Sequence, residues 1–190
     1  MLQTFVAIAA VIAIWTTSTQ RKLVVLDENV GNAMNQIGVQ LSGRFDALTA
    51  LLDLTKGYAG HESETLLETV KSGRSAVTAT STPEDVLRQE QVIADALKEI
   101  IMVAEQYPEM KANQTYLKTM NAVATFETMV RTSCLIYNDS VAKLNREIRT
   151  FPTCLVVGML GFQQKQYLVE EDHKPDMSDM IFEQRFSGNM

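Results

Sequence analysis

Apolar side chains recur along most of this chain in steps of three, four and seven. From Leu23 the series runs through Leu26, Val30, Ala33, Ile37, Leu41, Leu48 and Leu51. That spacing lays one apolar stripe along a helix; a strand would need a period of two. The pattern predicts a first helix reaching about Lys56, with Gly57 and Gly60 breaking it around Tyr58 and Ala59, because glycine is a poor helix former. A second helix, about His61 to Val77, carries Leu66, Leu67 and Val70, and the small polar stretch Thr78 to Thr82 reads as a turn. Thr82 followed by Pro83, with Asp85 three residues after the cap, is a helix start signal. The third helix then carries Val86, Ile93, Leu97, Ile100 and Ile101 to about Gln106, where Tyr107-Pro108 stops it. A fourth, about Asn113 to Arg149, has the stripe Tyr116, Met120, Val123, Glu127, Val130, Cys134, Tyr137, Val141, Leu144 and Ile148. Phe151-Pro152 ends it, and a short apolar piece, Leu155 to Leu160, precedes Gly161-Phe162. The expected fold class is all-α: an antiparallel up-and-down four-helix bundle over residues 21–168, preceded by an N-terminal transmembrane helix.

The transmembrane expectation rests on Leu2 to Trp15, an apolar run interrupted by Gln3 and Thr4. Such a run is short of the ~20 residues that cross a bilayer. Thr16, Thr17, Ser18 and Thr19 lengthen it without a charge, since hydroxyls can bond back to the preceding turn. Arg21 and Lys22 end it, and Trp15 stands where an interfacial aromatic stands. A cleaved signal peptide would want a cationic start, which Met1 to Phe5 lacks apart from its amino group; a buried core helix would fit the length. The favoured expectation is an anchor over residues 1–20, meeting the lipid bilayer through residues 2–19. It is single-pass in a bacterial inner membrane, with the N-terminus outside and the bundle on the cytoplasmic side of Arg21 and Lys22.

Composition narrows the field of functions. With 17 Lys+Arg against 23 Asp+Glu the net charge is -6, so a basic nucleic-acid binder is not expected. Acids dominate the end of the chain: Glu170, Glu171, Asp172, Asp176, Asp179 and Glu183 against Lys174 and Arg185. Residues 169–190 are expected to form an acidic, solvated, flexible tail. Two Cys cannot build a disulfide framework, and two His offer little for a metal.

The candidate chemistry is sparse. His61 lies near Glu62, Glu64 and Glu68, but no second His or Cys stands one turn away, so it is expected to cap or pack beside Tyr58. Cys134 falls on the apolar stripe as a core thiol, and Cys154 has no neighbour that would activate it. Glu127 interrupts the fourth helix's apolar stripe. A carboxylate there must find a partner or shift its pKa upward. Arg131 one turn on, and Arg44 from the first helix, would make it an ion pair that fixes helix register; the alternative is a proton-linked switch. Tyr107-Pro108 and Tyr137-Asn138-Asp139 join aromatics to hydrogen bonders, as at helix ends and interhelix contacts, with a peptide groove as the functional alternative. Gly31 and Gly38, seven apart, either admit a close neighbour or are simply tolerated. No convergent nucleophile, base and oxyanion donor is evident, so neither an enzyme nor a cofactor is expected.

Several segments in order resemble the LemA family. They are Lys56-Gly57-Tyr58-Ala59-Gly60-His61-Glu62; Glu105-Gln106-Tyr107-Pro108-Glu109-Met110-Lys111-Ala112-Asn113 with Tyr116; and Tyr137-Asn138-Asp139-Ser140-Val141 with Asn145 and Phe151-Pro152. The seam Val30, Ala33, Ile37, Val39, Gln40, Leu41, Arg44 and Asp46 is similar too, as is Gly161-Phe162 with Tyr167. The resemblance covers about Leu23 to Leu168. It implies a membrane helix followed by the bundle and a non-catalytic scaffolding or protein-interaction role. Its alternatives are an adaptor or regulator of a membrane-bound protease, or a magnetosome-type organiser. An unidentified protein partner is expected, with self-association open. The chain departs from the family's pattern where Ser42-Gly43 precedes a lone Arg44, at Thr49-Ala50, and at Cys134. Tyr58, His61, Tyr107, Pro108, Asn113, Glu127, Tyr137, Asn138 and Asp139 are the structural or interaction candidates.

Overall fold

The computed structural model describes residues 2–59 and 61–168. The expected acidic tail, 169–190, lies outside the described residues. Among the described residues six helices follow one another: α1 (Leu2–Ala59), α2 (His61–Gly73), α3 (Pro83–Gln106), α4 (Pro108–Lys111), α5 (Gln114–Arg149) and α6 (Thr153–Val156). Among the described residues there is no strand.

Side-chain pairs fix the helix directions. Lys22 meets Glu147 and Arg44 meets Glu127, so α1 and α5 run antiparallel along the most extensive contact in the molecule. Asp46 pairs with Arg74 and Lys56 with Glu64, so α2 descends beside the end of α1. Arg44 with Glu90, then Tyr58 with Tyr107, set α3 parallel to α1. The order is up, down, up, down, as the short connections require. The expected stripes form the core: Leu23, Val30, Ile37, Leu41, Leu48 and Leu51 of α1 are buried against Val123, Val130, Val141 and Leu144 of α5. Val86, Ile93, Leu97 and Ile100 of α3 and Leu67 and Val70 of α2 close the other side.

Local chemistry explains the ends. Thr82 caps α3 with a reciprocal box: Asp85's backbone N–H donates to the Thr82 hydroxyl at 3.3 Å, and Thr82's N–H donates to the Asp85 carboxylate at 3.0 Å. Asn113 caps α5 by accepting the Thr115 N–H at 2.8 Å. Tyr107 ends α3 and Pro108 opens the single turn of α4, whose Met110 is buried.

The structure corrects three expectations. First, the transmembrane helix over residues 1–20 is not shown: among the described residues no helix is long and apolar enough to cross a membrane. The reason lies in the run itself, which polar Gln3 and Thr4 and the hydroxyls of Thr16, Thr17 and Ser18 leave too short. Residues 2–20 are instead the first part of α1, continuous with its bundle portion. Second, Gly57 does not break α1, which continues to Ala59, because a single glycine costs a helix only about 1 kcal/mol. Third, α2 stops at Gly73 rather than Val77. Gln89 of α3 holds the chain there, its amide donating to the Gly73 carbonyl at 3.1 Å and accepting the Ser75 N–H at 2.8 Å.

The connection from α2 to α3 then crosses α1 over Gly31 and Gly38. A Cβ on Gly38 would stand 2.9 Å from the Val77 carbonyl carbon and closer still to its oxygen. The close neighbour is this loop rather than another helix.

Candidate functional site

Three features concentrate the polar and exposed chemistry. The first is a charge node between α1, α3 and α5. Arg44 is 4 % exposed. One terminal nitrogen donates to both Glu90 oxygens at 3.0 and 2.8 Å, and the other donates to Glu127 at 3.0 Å. Arg131 approaches Glu127 from the same helix at 3.9 Å. Glu127 therefore meets the two arginines expected for it. Glu90, the bidentate partner, was not foreseen: nothing in the local sequence of α3 marks its position opposite Arg44. The node ties three helices at one level, and the Arg44 Nε is buried without a hydrogen-bond partner among the described residues. An uncompensated loss of any member would be costly, which makes the node a register pin.

The second feature is a clasp on α5. After Gly161, at φ 78°, the chain turns back in extended form along α5 toward Leu168. Asn145 pairs with the Lys165 backbone, Nδ2 donating to its carbonyl at 2.8 Å and Oδ1 accepting its N–H at 2.9 Å. Asn138 does the same to Leu168, at 2.9 and 2.8 Å. Tyr137 adds a hydroxyl bond to the Gln166 carbonyl at 3.0 Å. Seven helical residues rise about 10.5 Å, and three extended residues span about 10 Å, so the two amides fall in register with the strap. Each reproduces the donor and acceptor of a missing neighbouring strand. Burial raises the Tyr137 pKa, with the Glu84 charge adding to it. Lys165 also pairs with Asp27 at 3.1 Å, tying the strap to α1. Asn138 and Asn145 stand seven residues apart on α5, two helical turns, a spacing from which the sequence reading drew no strap.

The remaining candidates scatter. Tyr58 and Tyr107 form a tilted pair, centroids 6.3 Å apart, at the end of the bundle. His61 opens α2, and its side chain lies outside the described residues. Asp139 is on the surface, paired with Lys143 at 2.7 Å. Glu127 stands ten residues before Tyr137, about 15 Å along the helix, so no single site gathers Glu127, Tyr137 and Asp139. Cys134 is buried and Cys154 exposed. Tyr116 is a further buried polar group: its hydroxyl has no hydrogen-bond partner among the described residues, and burial pushes its pKa up to about 12. Among the described residues no group of three or more His, Cys, Asp or Glu side chains is placed to hold a metal ion.

The third feature is the outer part of α1. Phe5, Val6, Ile8, Val11, Ile12 and Ile14 are all exposed, and burial starts only at Trp15 and Thr16, with Thr19 at 7 %. An apolar rod thus projects from the bundle end. The Thr16 and Thr17 hydroxyls return their hydrogen bonds to the Ala13 carbonyl at 3.0 and 2.8 Å.

The helix order, the Tyr107-Pro108 corner and the Tyr137-Asn138-Asn145 clasp all fall on the motif segments, and the LemA family model matches residues 33–180. The chain belongs to the LemA family. That match spans more than half of this LemA-family chain, from the seam of α1 through the strap. No curated protein matches it.

Proposed function

We propose that this LemA-family chain is a membrane-attached contact protein. The outer part of α1 seats in a lipid bilayer, and the helical bundle presents its surface to a protein partner without catalysis or a cofactor. The observation that carries this reading is the rod itself: an exposed apolar helical segment that runs without interruption into the bundle core. In water such a surface is unfavourable by about 25 cal/mol for each Å², and lipid relieves that cost. Arg21, exposed beside the last uncharged turn, suits headgroup phosphates, and the bundle then stands on the cytoplasmic face of a bacterial inner membrane, whose leaflet is anionic. The node and the clasp supply stiffness rather than chemistry: one pins three helices, the other fastens the closing segment.

The test is flotation of the purified full chain with lipid vesicles. Wild type is expected to rise with the lipid. The double variant Ile8→Asp, Val11→Asp, changed where both residues face solvent, is expected to keep its helical circular dichroism and remain at the bottom. Equal flotation of the two proteins would reject the α1 attachment.

A further inference from the structure

We propose that the corner joining α5 to α6, residues 150–161, is a second lipid-contacting element that rests on the surface of an anionic bilayer beside the outer part of α1. The inference rests on the membrane attachment proposed above and adds what holds the bundle down against that surface.

Phe151, Leu155 and Met159 are 75 %, 68 % and 89 % exposed, while Val157 and Leu160 of the same segment, and Phe162 just past it, pack against the core. The corner thus has a fixed underside and an apolar outer face. Its position follows from the α1–α5 register. Lys22 meets Glu147 at 2.7 Å; one turn onward, Thr150 comes level with Thr19, where α1 leaves the bundle. The apolar corner and the apolar rod therefore lie at the same end of the molecule.

Charge distribution identifies the occupant. From Gln3 to Gln20 the chain carries no charged residue, and from Thr150 to Gln164 it again carries none. Cations stand just inside both segments: Arg21 and Lys22 after the first, Arg146 and Arg149 before the second, all exposed, with Glu147 the acid between them. An apolar tip backed by cations fits a bilayer, where the tip enters the acyl boundary and the cations meet phosphates. A protein partner of mixed polarity would leave the uncharged corner without complementary groups.

Cys154 offers a direct reporter. It is exposed between Phe151 and Leu155, whereas Cys134 is buried, so an environment-sensitive thiol fluorophore marks the corner. The labelled full chain is mixed with vesicles of phosphatidylcholine and phosphatidylglycerol and recovered by flotation. Floated protein is expected to show blue-shifted probe emission that brominated lipid quenches. The variant Leu155→Asp, Met159→Asp is expected to float still, through α1, but with affinity lowered about tenfold or more. Floated protein with a water-like probe, or a variant of undiminished affinity, overturns the corner contact and leaves the α1 attachment standing. Protein that does not float overturns both.

Discussion

Replacing Arg44 by Met removes the centre of the charge node while keeping much of the side-chain volume. Three charge-assisted hydrogen bonds disappear, two to Glu90 and one to Glu127. Breaking one partner out of a buried pair costs about 3–5 kcal/mol. Here the carboxylates keep some contact with water, their side chains being 21 % and 18 % exposed, and Arg131 still stands near Glu127 at 3.9 Å. The loss should fall toward the lower part of that range, about 3–4 kcal/mol. For a chain of this size each kcal/mol moves Tm by roughly 2–4 °C. Thermal unfolding of the full chain in detergent, followed by circular dichroism, should therefore show a drop of several degrees. The decisive comparison is the uncharged triple variant Arg44→Met, Glu90→Gln, Glu127→Gln. It removes the stranded carboxylates and should recover at least half of the loss. An Arg44→Met protein within about 0.5 kcal/mol of wild type, or a triple variant no better than the single one, would refute the pin.

Four further outcomes follow from the fold. Gly38→Ala drives a methyl into the Val77 backbone and should destabilise by about 2 kcal/mol despite a better helix former. Gly57→Ala, with nothing within 4 Å of the new methyl, should instead be neutral or stabilising by about 0.5 kcal/mol, both read by urea denaturation. The Asp85 carboxyl is held below its ordinary value of 3.8, first by the Thr82 backbone N–H and then by the Thr82 hydroxyl. Its contribution to stability is therefore present at neutral pH and lost as pH falls through the lowered folded value. Asp85→Asn should be less stable than wild type at neutral pH, with the gap closing as solutions become more acidic than about pH 4; a gap that widens there would contradict the cap. Asn145→Ala removes both bonds to Lys165 and should raise amide exchange at Lys165 and Leu168 together, while amides in the middle of α5 keep their protection.

Much of this architecture is legible in the sequence because periodicity and caps act locally. The stripes from Leu23 to Leu51 and from Tyr116 to Ile148 are buried as their spacing requires, with Leu26 and Glu127 half-buried among them. The Thr82–Asp85 box starts α3 where predicted. Arg44 and Glu127 could be matched because an acid on an apolar stripe demands a cation. Glu90 offered no such signal, since on its own helix it is an ordinary charged position, and only the crossing of three helices aims it at Arg44. Gly38 announced a cost without its purpose: a contact with the loop at Val77 is a tertiary fact. The end of α2 is not legible locally, because Gly73 stops the helix together with Gln89, sixteen residues away. The strap over α5 escaped notice for a related reason. Its backbone is satisfied by side-chain amides of Asn138 and Asn145, and an extended segment without a strand partner leaves no periodic trace.

The attachment of α1 to lipid is tested most directly through Trp15, the single tryptophan of the chain. It stands where the exposed rod becomes buried in the bundle. On adding vesicles to the purified full chain, its fluorescence should shift to shorter wavelength and be quenched by lipids brominated near the headgroup more strongly than by those brominated at the chain ends. An emission spectrum that vesicles leave unchanged, with the protein still helical, would contradict the account.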